Sequence, residues 1–182
     1  NEYCYRILAR FTKKSPNGIF EWDEIESVPS NEVCIYLPLD VPVLTKVSVQ
    51  TTDVVAGKMD IAWTKPKAGG SNLDTLLDPP PYRFDLYRST GFNVASPQLM
   101  YSVTKNTYYD LNDTLFTDLN LNTELNPYTY QVSFYSQADT IGSSDPASSV
   151  YLSIGASDQK LNLSWDYNTP WTNDTFHVFK RD

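Results

Sequence analysis

The chain repeats one short strand-like pattern 102 residues apart. Residues 58–63 are KMDIAW and residues 160–165 are KLNLSW, each an alternation of polar and apolar residues that closes on Trp, and 160 − 58 = 102. A second pair, YCYRI at 3–7 and YTYQV at 128–132, lies 125 residues apart, since 128 − 3 = 125. Self-similarity of this kind indicates an array of repeats. We predict that the chain begins inside one repeat, contains one whole repeat and stops inside a third.

The complete repeat is predicted over residues 40–155. It contains short strand candidates separated by turn residues, at 44–52, 58–64, 82–89, 98–104, 114–119, 128–136 and 147–154. Seven short strands are typical of a β-sandwich. The long interval 65–81 contains GGS and PPP, which predict an inserted surface loop. The predicted fold class is therefore all-β, which the enrichment in Tyr, Val, Thr and Leu also favours.

Two partial repeats flank the complete one. Residues 1–39 are predicted to supply the last two strands of a repeat, at 3–12 and 30–37, and residues 19–24 are a candidate extension of that hairpin. Residues 156–182 are predicted to supply the opening three strands of another, the last beginning at Phe176. Each piece would expose an apolar face and an open sheet edge, so we expect it to be ordered by packing on other sequence.

Charge and hydropathy exclude two classes of partner. The formal net charge is −8 and there is no Lys/Arg-rich run, whereas binding to nucleic acid needs a positive stripe. No apolar run approaches the roughly 18 to 20 residues of a membrane span. The chain also starts at Asn1 without the charged and apolar regions of a signal peptide. We therefore expect neither nucleic-acid binding nor membrane insertion, and a mature segment or a piece of a larger protein.

The two cysteines lie in strand-like alternations that predict neighbouring strands. Cys4 stands in YCYRI and Cys34 in EVCIY. A disulfide between them would close a loop of about 30 residues, stabilise the fold by about 3–4 kcal/mol and indicate an oxidising, extracytoplasmic setting. The alternative is a pair of inert core thiols.

Three motifs in order resemble fibronectin type III repeats: an apolar-x-apolar-x-Trp second strand, an aromatic third strand, and a Tyr that opens the sixth strand. The residues are Met59, Ile61, Trp63, Phe84, Leu86 and Tyr128. Tyr128 resembles the tyrosine corner, whose hydroxyl bonds back to the backbone. The resemblance covers the whole chain and implies an immunoglobulin-like β-sandwich.

More narrowly, three segments resemble repeats of large Bacteroidota cell-surface proteins. They are the YCY strand with SNEVC at 30–34, LYRS at 86–89 and TPWTN at 169–173. Proteins of that family are adhesins and gliding-motility-associated proteins exported by the type IX secretion system. The resemblance implies an extracellular or cell-surface location. It also implies neighbouring repeats and secretion or anchoring machinery as partners.

The same resemblance implies O-glycosylation at Asp-Thr followed by an aliphatic residue. The candidate sites are Thr75, Thr114 and Thr140, in or beside predicted loops. The alternative is that the Asp-Thr pairs are ordinary turn residues in a chain rich in both.

The chain contains few of the histidine and cysteine residues that build catalytic and metal sites. The single His177 and two mutually committed cysteines offer no nucleophile-base pair and too few zinc ligands, so we predict no enzyme activity and no cofactor. Residues 118–124 alternate oxygen ligands but lack the glycine of a calcium loop, and Leu119 is predicted to face the core. Calcium near Asp74 and Asp78 stays open.

Exposed aromatics give the remaining binding hypothesis. Tyr87 and Tyr135 fall on the outward phase of the third and sixth strands, which are neighbours in this fold, and Trp171 is a further candidate. These side chains predict contact with a glycan or another surface ligand. The alternative is that a neighbouring repeat covers them.

The predicted function is non-catalytic. We expect a tandem segment of a secreted or surface-anchored bacterial protein that spaces, presents or adheres, connected with gliding or surface attachment. The alternative is an accessory spacer or carbohydrate-binding module of a secreted polysaccharide-degrading enzyme.

Overall fold

The protein is all-β, as the sequence predicts. A computed structural model describes residues 2–19, 21–36, 41–67, 73–172 and 175–178, and these residues contain strands and turns but no helix. The chain divides into two compact units, Asn1–Pro38 and Leu39–Asp182.

The first unit contains four of the fourteen strands formed by the described residues, and the second contains ten. In the first unit they are β1 (Glu2–Tyr5), β2 (Arg10–Lys14), β3 (Glu21–Glu26) and β4 (Val33–Tyr36). In the second they are β5 (Val43–Thr51), β6 (Gly57–Thr64), β7 (Tyr82–Thr90), β8 (Gln98–Lys105), β9 (Leu115–Leu121), β10 (Tyr128–Ser136), β11 (Asp139–Ser143), β12 (Ala147–Ser148), β13 (Tyr151–Ser157) and β14 (Lys160–Asp166).

The first unit is a folded-back pair of strands interrupted in the middle. β1 pairs with β4 and β2 with β3, both antiparallel. Between the two ladders, the Ile7 N–H donates to the Ser30 hydroxyl at 3.0 Å and the Ala9 N–H to the Ser27 hydroxyl at 2.9 Å. Because side-chain hydroxyls replace ladder partners here, the single strand predicted over 3–12 is wrong: it is two strands. The predicted extension at 19–24 corresponds to β3.

The predicted disulfide closes the β1–β4 ladder. Cys4 and Cys34 stand directly opposite each other, with their Cα atoms 4.0 Å apart, and their sulfurs are bonded. Both residues are exposed, so the alternative of inert core thiols is wrong. The link ties together the two ends of a unit whose other side chains offer little shared core.

The central sandwich, residues 43–148, consists of two antiparallel sheets over one core. One sheet has the order β5-β6-β9 and the other β11-β10-β7-β8, with β12 also on β10. The inner faces are the ones that the period-two pattern predicts. Buried core side chains from both sheets include Met59, Ile61, Trp63, Phe84, Leu86, Tyr130, Val132 and Phe134. The ring of Trp63 meets that of Phe84 edge-on across the core, at 6.0 Å between centroids.

The hydroxyl of Tyr128 bonds back to the backbone, as predicted. It accepts from the Asn122 N–H at 3.2 Å and lies 3.4 Å from the Asn122 carbonyl oxygen. The turn between β9 and β10 is thereby fixed to the start of β10.

The strand predicted at 147–154 is wrong in its bounds, because only Ala147–Ser148 pairs with β10 and Tyr151 already begins β13. β10 turns tightly at Gln137, whose φ is +53°, into β11, and β12 continues that edge. Gly142 in β11 leaves room for the incoming chain, because a Cβ there would lie 2.4 Å from Val41 Cγ1. The chain then forms a separate hairpin of β13 and β14. A short polar strand with a glycine carries too little hydrophobic signal to be predicted.

The last predicted strand is not formed in residues 175–178, and residues 179–182 lie outside the described part of the chain. Phe176 nevertheless packs on the hairpin. Its ring lies 5.4 Å from the ring of Trp165 and 5.4 Å from that of Tyr167.

The interval between β6 and β7 is only partly a surface loop. Pro66 and Leu73 are buried, and the Leu73 N–H donates to the Lys67 carbonyl at 3.2 Å. Leu76 and Leu77 are exposed. Residues 68–72 lie outside the described part of the chain. The middle of this interval therefore contributes Leu73 to the core.

A buried ion pair joins the two sheets. Arg88 on β7 and Tyr130 on β10 stand opposite each other, and both donate to Asp118 Oδ2 on β9, at 2.8 Å and 3.0 Å. Asp118 is 3% exposed. Burial, with the neighbouring Asp118 carboxylate, raises the pKa of Tyr130, so its hydroxyl stays a donor. Leu119, predicted to face the core, is 52% exposed because the positive φ of Asn120 shifts the alternation.

We predict that Asp118→Asn costs about 3–5 kcal/mol of unfolding free energy, because Arg88 would keep a buried charge without its partner. Denaturant unfolding measures the loss. Asp60→Asn is the matched control, since Asp60 pairs with the half-exposed Lys46 and such pairs contribute about 0–1 kcal/mol. Equal losses in the two variants would contradict the role of the inter-sheet pair.

We also predict that Trp63→Ala costs about 3–5 kcal/mol, because it removes a fully packed indole from the core. Thermal unfolding is the measurement. Trp165→Ala is the control at the corresponding repeat position, where the indole is 36% exposed, and it should change the melting curve of the sandwich little. A melting-temperature loss of only a degree or two for Trp63→Ala would show that the indole is dispensable.

Candidate ligand-binding face

Two of the three predicted ligand-contact aromatics meet on the outer face of the β7–β10 pair. The hydroxyls of Tyr87 and Tyr135 lie 3.5 Å apart, although their backbones are four positions apart along the ladder. Both side chains are half-buried. The rings therefore lean toward each other along the sheet and form an arch, which we call the tyrosine arch (Tyr87 and Tyr135).

The arch covers a carboxylate that the strand alternation would leave in water. Asp85 and Ser133 stand opposite each other beneath it and are 5% and 7% exposed. Asp85 Oδ1 accepts from the Ser102 hydroxyl at 2.6 Å, and Oδ2 accepts from Arg83 Nε at 3.1 Å. A buried carboxylate needs such partners, because loss of hydration is otherwise costly.

Arg83 links the buried carboxylate to the arch. Its guanidinium carbon lies 4.1 Å from the centroid of the Tyr135 ring, a favourable cation–π distance. The same side chain is 34% exposed. Sequence reasoning missed Arg83, Asp85 and Ser102. The signal that could have found them is an Arg, an Asp and a Tyr at alternate positions 83, 85 and 87 on the outward phase of one strand.

The phenol of Tyr87 remains protonated well above neutral pH. Its hydrogen bond with Tyr135, reinforced by burial and by the nearby Asp85 carboxylate, raises the pKa of Tyr87 to about 12. The Tyr87 phenol therefore stays neutral throughout the physiological range, with its one hydrogen within reach of the Tyr135 oxygen and of Asp85 Oδ2, each 3.5 Å away.

We predict that Tyr135→Phe lowers the pKa of Tyr87 toward 10, because it removes the hydrogen bond that contributes most to the shift. NMR of ring-labelled tyrosine follows the titration. The control is Tyr101→Phe, because the Tyr101 ring on β8 packs against Phe116. The raised pKa makes folding favour the protonated phenol, so this contribution to stability is present below pH 10 and lost between about pH 10 and 12. An unchanged Tyr87 titration in Tyr135→Phe would contradict the coupling.

Trp171 lies apart from the arch. It is half-buried and packs against the core of the central sandwich. With Pro42, Leu44, Asp145 and others it lines a pocket of about 400 Å³. The Trp171 ring is therefore used in packing within this unit.

The three candidate glycosylation sites differ in exposure. Thr75 is exposed in the turn that follows Asp74, and Thr140 is exposed on β11. Thr114 is half-buried just before β9, and its carbonyl accepts from the Trp63 N–H at 3.0 Å. Thr75 and Thr140 thus offer more accessible hydroxyls than Thr114.

Metal ligands converge at one place within the described residues. Cys4, Cys34 and Glu32 lie together, but the sulfurs are bonded to each other and are not thiolate ligands. Calcium binding near Asp74 and Asp78 was the alternative that the sequence left undecided. There, Asp74 Oδ1 accepts from the Leu76 N–H at 2.9 Å and so fixes a turn.

Comparisons with known proteins add one weak similarity. No protein-family model and no curated protein matches the chain. A solved structure described as "Titin kinase and its flanking domains" is similar at 17% identity and a TM-score of 0.37, over 60% of this chain and 16% of that one. Similarity at this level supports no argument about function. Nothing helical in the described residues has the length and apolar character that crossing a bilayer requires.

Proposed function

We propose that the chain is a non-catalytic tandem segment of fibronectin type III repeats that spaces and presents other parts of a secreted or surface-anchored bacterial protein. The order of the two sheets, the Trp63 strand and the hydroxyl bond of Tyr128 support the repeat assignment. The disulfide supports a location outside the reducing cytoplasm.

The observation that carries the spacer role is the junction after the β13–β14 hairpin. Asn168 and Ser148 exchange hydrogen bonds: the Asn168 N–H donates to Ser148 Oγ and the Ser148 N–H donates to the Asn168 carbonyl, both at 2.7 Å. Asn168 Nδ2 also donates to the Phe92 carbonyl at 3.0 Å. Trp171 then packs against the core of the preceding sandwich. A spacer transmits position only if consecutive repeats are fixed to each other, and these contacts support such a role.

The wider biological setting rests on the resemblance of three sequence segments to repeats of large Bacteroidota cell-surface proteins. We place the segment in a Bacteroidota cell-surface protein of the gliding or adhesin class, exported by the type IX system. Its partners would be neighbouring repeats and the anchoring machinery. The bonding of both cysteines to each other removes thiolate nucleophiles, which supports a non-catalytic role.

A second candidate function is carbohydrate contact, as an accessory module of a secreted polysaccharide-degrading enzyme. The observation that favours it is the tyrosine arch with Arg83 stacked against it. Half-exposed tyrosines with a fixed cation form a rigid, hydroxyl-bearing surface of the kind that contacts ligands.

The junction predicts a narrow distance distribution between spin labels on its two sides. Leu115→Cys and Leu161→Cys provide exposed labelling positions, and a maleimide nitroxide leaves the native disulfide intact. Double electron-electron resonance should give one narrow peak. Combining Asn168→Ala with Trp171→Ala should broaden it, because the junction loses the Asn168 Nδ2 bond to the Phe92 carbonyl and the packing of Trp171 and keeps only the backbone bonds of residue 168 to Ser148.

The control for the spin-label measurement is Tyr109→Ala, an exposed aromatic away from the Asn168 contacts, which should leave the peak unchanged. A distribution in the otherwise unaltered protein as broad as in the double variant would exclude a rigid spacer.

A further inference from the structure

The side chain of Arg83 is held at Nε and at the face of its guanidinium. Its two terminal Nη nitrogens are thereby available to a ligand. Asp85 Oδ2 binds Nε at 3.1 Å, and the Tyr135 ring lies 4.1 Å from the guanidinium carbon. Within the described residues, neither Nη atom of Arg83 has a hydrogen bond. Arg88 differs, because its two Nη atoms donate to Asp118 and Gln98. Arg83 therefore presents two immobilised donors at the edge of the tyrosine arch.

Two parallel N–H donors on a planar cation match a carboxylate or a phosphate. Arg83 is the single cation of this cluster, and Asp85 already offsets its charge. The chain as a whole carries a net charge of −8. A singly charged carboxylate suits this environment better than a doubly charged phosphate, because each added negative charge is repelled by the protein as a whole.

The surroundings of Arg83 favour a sugar over a peptide as the carrier of that carboxylate. β7 and β10 are interior strands with neighbours on both sides, so an extended peptide cannot add to them as a further strand. The side chains around Arg83 are rich in hydroxyls, from Tyr87, Tyr135 and Ser102. Such a surface suits a polyhydroxylated ligand.

We propose that Arg83, with the hydroxyls of Tyr87 and Tyr135, binds the carboxylate of a uronic-acid unit in an extracellular polysaccharide. This inference rests on the second candidate function, carbohydrate contact, and is independent of the spacer role. The arch contributes a rigid platform, and Asp85 acts only by positioning Arg83.

The test is calorimetric titration of the full chain with a panel of tetrasaccharides of galacturonic, glucuronic and mannuronic acid. Each is paired with its methyl ester, which keeps the sugar and removes the charge. At least one acid should bind about tenfold or more tightly than its ester, since a charge-assisted bidentate pair is lost. Equal affinity of acid and ester would overturn the carboxylate assignment and leave carbohydrate contact in place.

The matched variants are Arg83→Lys and Lys58→Met. Arg83→Lys keeps the charge beside Asp85 but loses the fork, and should weaken binding of the acid by about tenfold. Lys58→Met removes a positive charge from the other sheet and should not weaken it. Unchanged binding in Arg83→Lys would overturn the proposal. If Arg83→Lys does not fold, the acid and ester comparison on the unaltered protein decides.

Absence of binding by any acid of the panel would also overturn this proposal. The spacer function is then still judged separately, by the distance distribution across the Asn168 junction.

Discussion

One carboxylate oxygen in the middle of the sandwich receives a hydrogen bond from each of two strands of the facing sheet. Arg88 and Tyr130 are opposite each other on β7 and β10 and converge on Asp118 of β9. The hydrophobic effect is not directional, so apolar burial alone specifies the relative placement of two sheets less sharply than a hydrogen bond does. A shared acceptor at 2.8 Å and 3.0 Å specifies one relative placement. The strand phase that brings Arg88 and Tyr130 to the inner face of β7 and β10 also leaves the tyrosine arch on the outer face.

On its outer face, strand β7 carries a carboxylate that is buried instead of exposed to solvent. Asp85 is buried there without being in the core, since the tyrosine arch covers it and Ser102 and Arg83 satisfy it. The covered carboxylate fixes Arg83, and Arg83 in turn packs on Tyr135. The binding proposal depends on this chain of contacts, because a surface arginine without it would lose far more side-chain entropy on meeting a ligand.

The alternation of residues predicted the inner faces correctly because a strand packed on one side has a strict period of two. Trp63, Phe84 and Val132 are examples. The same rule failed at Asp118 and Leu119, where the positive φ of Asn120 interrupts the period. It failed again at β11, whose five residues include a glycine and a single aliphatic side chain. Strand position alone could not predict that Asp85 is buried, because its cover comes from long side chains several positions away.

Of the candidate site, the sequence predicted that Tyr87 and Tyr135 lie on the outward phase of neighbouring strands, which the pairing of β7 with β10 confirms, but it did not predict that their hydroxyls meet. The roles of Arg83 and Ser102 could not be predicted from the sequence, because they depend on distances between side chains across the sheet surface. The disulfide was predictable because it too depends on which strands are neighbours. Cys4 and Cys34 belong to strands that pair, and the register places them opposite each other.

Gly142 has a consequence for how the chain approaches the central sandwich. Val41 occupies the space where a side chain at position 142 would be, and Pro42, the next residue, is buried. The entering backbone is thus seated in a notch that exists because one methyl group is missing from β11. Any larger residue at position 142 would lift the entering segment and redirect it. The seat of Val41 on the sandwich is therefore encoded far along the sequence, in a residue with no side chain at all.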